Sequence, residues 1–199
     1  GVRFYTAPPL AQDESDVARR QARAWADPAV RILIARKMFA WRLGEIVPAE
    51  NLDVLRGIEG SRMRESYRLL AQRFGIEWRG RRYDRANPMA ADVPNQAINH
   101  AASAVEAAAA IAVACAGAIP QLGFIHEDSG QAFVLDVADL VRTTVTIPVA
   151  FQAAKAAATG GGTTLEARVR RGAAAAFRRE RVIPTLIEKV QELFQLERG

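Results

Sequence analysis

Apolar residues recur at helical spacing along most of this chain, and the places where that rhythm breaks divide it into elements. Asp13 to Ala26 reads as a helix with Asp13 or Ser15 as its cap. Asp27-Pro28 opens a second helix, because a proline costs nothing at the first helical position. Its Ile32, Leu33, Met38, Phe39 and Leu43 suggest a buried face, and it stops at Gly44. Asn51 to Phe74, closed by Gly75, carries the clearest stripe: Leu52, Leu55, Met63, Tyr67, Leu70 and Phe74. Asp92 and Pro94 begin a long helix of small residues that ends near Gly117 and reads as the central one. Asp136 to about Ala158 is helical, bent or broken at the β-branched run Thr143 to Ile147 and at Pro148. The 159–164 segment, Thr-Gly-Gly-Gly-Thr-Thr, is a linker. Leu165 to Arg181 and Pro184 to Leu196 complete the set.

The exception is Gly123 to Leu140. Two short apolar runs, Phe124-Ile125 and Ala132 to Leu135, flank the turn residues Glu127 to Gly130, which predicts a β-hairpin over about 123–135. Such a hairpin brings His126 close to Asp136. Capping gives a simpler account of the acids: Asp136 starts a helix and Asp139 completes its first turn. A histidine and two carboxylates converging where no basic residue is near in sequence favour a functional reading. The alternating Gly1 to Thr6, stopped by Pro8-Pro9, looks like the last strand of a preceding unit. The expectation is therefore an all-α fold with one short hairpin and an N-terminal strand remnant.

With 199 residues, half of them hydrophobic and a quarter charged, the chain can bury a full core. One cysteine, Cys115, excludes an internal disulfide and a cysteine metal cluster, and fits a reducing, cytoplasmic setting. Ala97 to Ile119 is the most membrane-like stretch, yet His100 and Glu106 interrupt it, so a buried helix and no membrane partner are expected. Charge is unevenly spread. Residues 1–85 hold 17 basic and 11 acidic side chains, residues 86–140 six acids and no Lys or Arg, and residues 141–199 ten basic and five acidic. Acids between arginine-rich flanks suit a phosphodiester enzyme, in which carboxylates attract a divalent cation and arginines hold the polyanion.

Glu59 falls in the apolar stripe of its helix, where a carboxylate needs a partner or a metal. An intrahelical pair with Arg56 or Arg62 is the simpler option. Gly57 and Gly60 beside it suggest a close approach by another backbone or a ligand. The loop Trp78-Arg-Gly-Arg-Arg-Tyr83 combines aromatic and guanidinium groups, as strand ends and phosphates require, or simply packs on the surface. His100 is the rival to His126 as a ligand.

Leu55-Arg-Gly-Ile-Glu59-Gly, Gly123-Phe-Ile-His126 and Leu135-Asp136-Val-Ala-Asp139-Leu, in that order, resemble the signature blocks of the CRISPR-associated integrase (Cas-one) family. Arg36-Lys-Met-Phe, Arg42-Leu-Gly-Glu45, Gly80-Arg-Arg-Tyr83-Asp and Asn95-Gln-Ala-Ile-Asn99 extend the resemblance over nearly the whole chain, most like the branch found with type I-E systems.

That resemblance implies residues 1–10 as a remnant of an N-terminal β-domain or its linker, and 11–199 as a helical, metal-dependent catalytic domain. It implies catalytic Glu59, His126, Asp136 and Asp139, with Glu59, His126 and Asp139 binding Mg²⁺ or Mn²⁺. Arg3, Arg64, Arg81, Tyr83 and Arg168 match positions that hold DNA. Implied partners are DNA (spacer precursor and CRISPR repeat), the small Cas-two protein, and a second copy of the full-length chain. The implied reaction inserts short DNA fragments into a CRISPR array by 3′-hydroxyl attack on a phosphodiester. Glu127-Asp128-Ser129 departs from relatives with a basic residue after the histidine. Rival readings are a non-catalytic basic DNA-binding scaffold and a general metal-dependent DNA nuclease.

Overall fold

A computed structural model describes residues 17–46, 51–82, 91–160 and 162–195. The expected strand at Gly1 to Thr6, the caps Asp13 and Ser15, and the residues Arg3 and Tyr83 lie outside them. Among the described residues lie eight α-helices: α1 (Val17–Ala26), α2 (Pro28–Leu43), α3 (Leu52–Phe74), α4 (Val93–Cys115), α5 (Ala132–Asp139), α6 (Ile147–Ala158), α7 (Leu165–Arg179) and α8 (Val182–Phe194). The described residues contain no strand.

Local chemistry sets most of the boundaries. Asp27 accepts hydrogen bonds from the amides of Ala29 and Val30 at the start of α2. Asn51, Asp92 and Thr164 cap α3, α4 and α7 in the same way. Gly44 and Gly75 take left-handed φ of 74° and 67°, ending α2 and α3. The central helix is α4, packed by α5, α6, α7 and α8. Its buried Ala97, Ala101, Ala108, Ala109 and Ala112 let those neighbours approach closely. By length and composition alone α4 could cross a membrane, but this placement makes it the core of the bundle.

The expected hairpin is not formed. Residues 123–131 form an irregular loop, and α5 starts at Ala132 without a side-chain cap. Here Asp136 replaces a strand ladder: its carboxylate accepts the amides of Phe124 (2.6 Å), Ile125 (3.1 Å) and His126 (2.9 Å). The capping account also fails, because Asp136 and Asp139 lie in the second half of α5. Phe124, Phe133 and Phe194 pack under the loop with ring centroids 5.8–6.0 Å apart. From α1, the fully buried Gln21 bonds the carbonyls of Ile119 and Leu122 and the amide of Ile119, while Trp25 Nε1 donates to Gly123 O at 3.0 Å.

The break expected in 143–148 takes a definite form. Thr146 N–H donates to Val141 O and Ile147 N–H to Arg142 O, one residue wider than an α-turn. Pro148 then sits at the start of α6, where its missing N–H costs nothing.

Candidate active site

Four elements bring the chemistry together: α2 supplies Arg42, α3 Glu59, the 123–131 loop His126, and α5 with its π-turn Asp136, Asp139 and Arg142. The sequence stripe that predicted an anomalous Glu59 was right about its need for a partner. That partner is Arg42 of α2 and not a residue of its own helix. Arg42 Nη2 stands 2.7 Å from Glu59 Oε1, and Arg42 Nη1 stands 3.1 Å from Asp139 Oδ2. Nη2 meets no hydrogen-bond acceptor in line and Nε meets none at all among the described residues, so the pull on Glu59 is chiefly Coulombic. With 3% of its side chain exposed, Arg42 is a buried brace between two carboxylates. Arg142 pairs with the other oxygen of Asp139, Oδ1.

His126 is fixed from behind. Its Nδ1 lies 2.6 Å from Asp136 Oδ1, which also accepts its backbone amide. That hydrogen bond raises the imidazole's pKa against the opposing effect of burial, with Asp136 and Asp139 adding to the rise and Arg142 reducing it. With Nδ1 engaged, Nε2 is the nitrogen left for a ligand. Asp136 is almost wholly buried, at 1% exposure. It therefore supports the site from inside, while Asp139 and Glu59 are turned toward Arg42.

Sequence reasoning missed Arg42, Arg142 and Glu106 as parts of this site. Glu106 of α4 is half-buried; burial raises its pKa, opposed by Arg142 and His126 and assisted by Asp139, which puts it within their field. The signal was present: it is an acid on a helix with no basic residue anywhere in 86–140. Arg42 falls three and four residues after the fully buried Phe39 and Met38, which marks a guanidinium on a core face.

No basic residue neighbours His126 in sequence, yet the fold supplies several. Arg31 and Arg56 both pair with Glu127, and Arg56 Nη2 also donates to Ile125 O at 2.5 Å. Burial pushes the Glu127 carboxyl up, but the bonds and field of Arg56 and Arg31 outweigh it and hold the pKa below the usual range.

The other expected residues are dispersed. Arg64 is exposed on α3, its Nη1 coming within 3.9 Å of the space where a side chain at Gly60 would begin. Nothing approaches Gly57, so the expected close backbone contact at these glycines is absent among the described residues. Arg81 bonds the side chains of Asn95 and Asn99, and Arg168 the carbonyls of Gly160 and Thr163. Trp78 packs inward, stacked on Tyr67 at 5.2 Å and edge-on to Phe151. His100 is not part of the cluster's ion pairs or hydrogen bonds described above.

A family model for CRISPR associated protein Cas1 matches residues 41–159, which span Arg42, Glu59, His126, Asp136 and Asp139. The chain belongs to the Cas1 family. It is 34% identical over 198 residues to CRISPR-associated endonuclease Cas1 1 of Rhodospirillum rubrum, covering 98% of this chain and 63% of that protein. To the Escherichia coli K12 Cas1 endonuclease it is 39% identical over 156 residues, 78% of this chain and 51% of that one. The chain thus spans between half and two thirds of the length of these curated Cas1 relatives. The TtCas1–DNA complex superposes with a TM-score of 0.83 at 34% identity, over 93% of this chain and 68% of that one. A casposase bound to integration product shares the fold, with a TM-score of 0.73 at 14% identity.

The side chains at the Cas1 site are of the types that a divalent cation takes. Two carboxylates and an imidazole oriented through Nδ1 suit Mg²⁺ or Mn²⁺, and such a nitrogen-side partner is the usual company of a metal-binding histidine. Among the described residues, no three acidic, histidine or cysteine side chains already form a coordination shell. Two arginines balance the carboxylates instead.

Proposed function

We propose that this chain carries the catalytic centre of a CRISPR adaptation enzyme, cutting and joining DNA with Mg²⁺ or Mn²⁺ at Glu59, His126 and Asp139. The observation that carries this reading is the pairing of Glu59 with Asp139 across Arg42, beside a histidine fixed by Asp136. Relatives named CRISPR-associated endonuclease Cas1 and a Cas1–DNA complex support a DNA substrate.

Glu59, His126 and Asp139 would hold the ion, which would supply Lewis-acid polarisation of the phosphodiester and acidify the attacking hydroxyl. The chain does the rest. Asp136 holds the imidazole through Nδ1, which leaves Nε2 for a ligand. Arg42 keeps Glu59 and Asp139 at fixed separation, which removes the reorganisation otherwise needed when substrate arrives. Arg64, Arg81, Arg168, Arg3 and Tyr83 are the residues assigned to DNA. Spacer precursor and CRISPR repeat are the substrates, the Cas-two protein and a second full-length copy the partners, and the cytoplasm the setting.

The test is titration of Mn²⁺ and Mg²⁺ against labelled duplex carrying a 3′-hydroxyl end, with Glu59→Gln, His126→Asn and Asp139→Asn alongside. Metal-dependent joined product from the wild type, lost in each variant, supports the reading. Cleavage without joining points to a general nuclease. Tight DNA binding with neither points to a non-catalytic scaffold.

A further inference from the structure

The two arginines at the cleft differ in one respect that matters. Arg42 is sealed in, with 3% of its side chain exposed, and reaches two carboxylates at once. Arg142 has 36% of its side chain exposed and, among the described residues, pairs with Asp139 Oδ1, three residues earlier in the chain. Asp139 therefore has both oxygens committed, one to each guanidinium. A cation that takes Asp139 as a ligand competes with these guanidinium groups for its lone pairs, and of the two arginines Arg142 is the more exposed.

The surroundings of Arg142 are those of a cation site. Burial disfavours its charge, but Asp139, Tyr67 and Glu59 outweigh that and hold its pKa above the ordinary value, and Glu106 and His126 lie within its field. Its backbone opens the wide turn after α5, which sets the side chain back toward Asp139. A second positive group, beside Arg42, thus sits with the carboxylates and imidazole assigned above to metal.

We propose that Arg142 is an exchangeable internal cation that occupies the metal position of the free protein and gives it up when a divalent ion binds. The inference rests on the metal reading given above and adds a competitor to it. A guanidinium stabilises clustered carboxylates that would otherwise repel one another, so the cleft keeps its shape before the ion arrives. Release of Arg142 toward solvent then places a positive group at the cleft mouth at the moment metal is loaded, where a backbone phosphate can take it. Loading and DNA capture become linked through one side chain.

Calorimetric titration of Mn²⁺ into the metal-free chain, without DNA, tests this. Arg142→Gln is expected to bind Mn²⁺ about tenfold tighter than the wild type, because a neighbouring positive charge has been removed from a weakly screened cleft. Its melting temperature should rise more on Mn²⁺ addition than that of the wild type. Arg62→Gln, which removes an arginine paired outward with Glu45 at 2.8 Å, serves as the charge control and should change the affinity less than about twofold. Equal or weaker binding by Arg142→Gln overturns the proposal, as does an equal gain in Arg62→Gln. An Mn²⁺-loaded wild-type structure gives a measurement independent of any variant: Arg142 should have left Asp139, and its retention there overturns the exchange. Absence of binding in every chain overturns the metal site itself, and this inference with it.

Discussion

Asp136 grips His126 at two points, the ring through Nδ1 at 2.6 Å and the backbone through its amide at 2.9 Å, both on the same carboxylate oxygen. Its other oxygen accepts the amides of Phe124 and Ile125. One side chain thus folds the loop and orients the imidazole. Asp136→Asn keeps the volume but exchanges an acceptor for a donor. The expected cost is about 3 kcal/mol in urea unfolding, given that hydrogen bonds to charged groups are among the stronger ones. Asp139→Asn, by contrast, should leave the amides of 124–126 as slow to exchange as in the wild type. Equal loss of protection in both variants would remove the special role of Asp136.

A raised pKa at His126 gives the metal-free protein a pH signature. The folded value lies above the ordinary 6.5, chiefly because of Asp136. Its stabilising share is therefore fully present below about pH 6.5 and is lost as pH rises through the folded value. Unfolding free energies of wild type and His126→Gln, measured in chelator, should differ more below about pH 6 than above about pH 8. A constant difference across that range contradicts the assignment.

Arg42→Met strips the brace and leaves Glu59 and Asp139 facing each other, 19% and 10% exposed. Removing one partner of a buried ion pair costs about 3–5 kcal/mol. Thermal unfolding in chelator should show that loss, and Mn²⁺ should recover part of it by supplying a replacement cation. No recovery with Mn²⁺ would separate the carboxylate pair from metal binding.

At Gly123 a side chain has nowhere to go: its Cβ would lie 2.3 Å from His126 O and 2.7 Å from Ala132 Cβ. Gly123→Ala is expected to lower stability by about 2–4 kcal/mol, through the loop's contact with the start of α5. Gly57→Ala, with nothing within 4 Å, should instead be neutral or stabilising on the helix-propensity scale. Denaturant midpoints of the two variants decide this.

Arg64→Gln should weaken binding to duplexes of any sequence and reduce the slope of affinity against salt by about one, with little change in melting temperature. Arg168→Gln is expected to act differently. Its side chain holds Gly160 O at 2.9 Å and Thr163 O at 3.2 Å, so stability should fall as well. Binding isotherms at several salt concentrations, paired with melting curves, tell the two apart.

Helix boundaries were legible because their signals are local. Asp27, Asn51 and Asp92 cap the helices they precede, and Gly44 and Gly75 end theirs. The hairpin was misread for a long-range reason. Gln131 starts α5 with no side-chain cap, and Phe133, two residues on, donates its amide to Pro120 O, thirteen residues before it. The turn residues at Glu127 to Gly130 were real turn residues, but the amides before them are satisfied by Asp136 and not by a second strand. Glu59 could be singled out because a carboxylate in an apolar stripe is anomalous by itself. Its actual partner, Arg42, lies 17 residues away on another helix, and Arg142 sits among them through the wide turn after α5. Periodicity finds a misplaced charge; it does not find the charge that answers it.

That wide turn also sets a phase. A regular helix running through Arg142–Thr146 would advance about 100° per residue without interruption from Asp139 into α6. The tight turns at Leu140 and Val141 and the wide one at Thr146 offset the two halves, so Asp139 meets Arg42 and Arg142 while Ile147, Ala150 and Phe151 are buried in the core. Shortening the segment by one residue would turn one face or the other away from its work. In effect the chain sets a short joint between α5 and α6, letting the site and the packing face different ways without agreeing on one helical pitch.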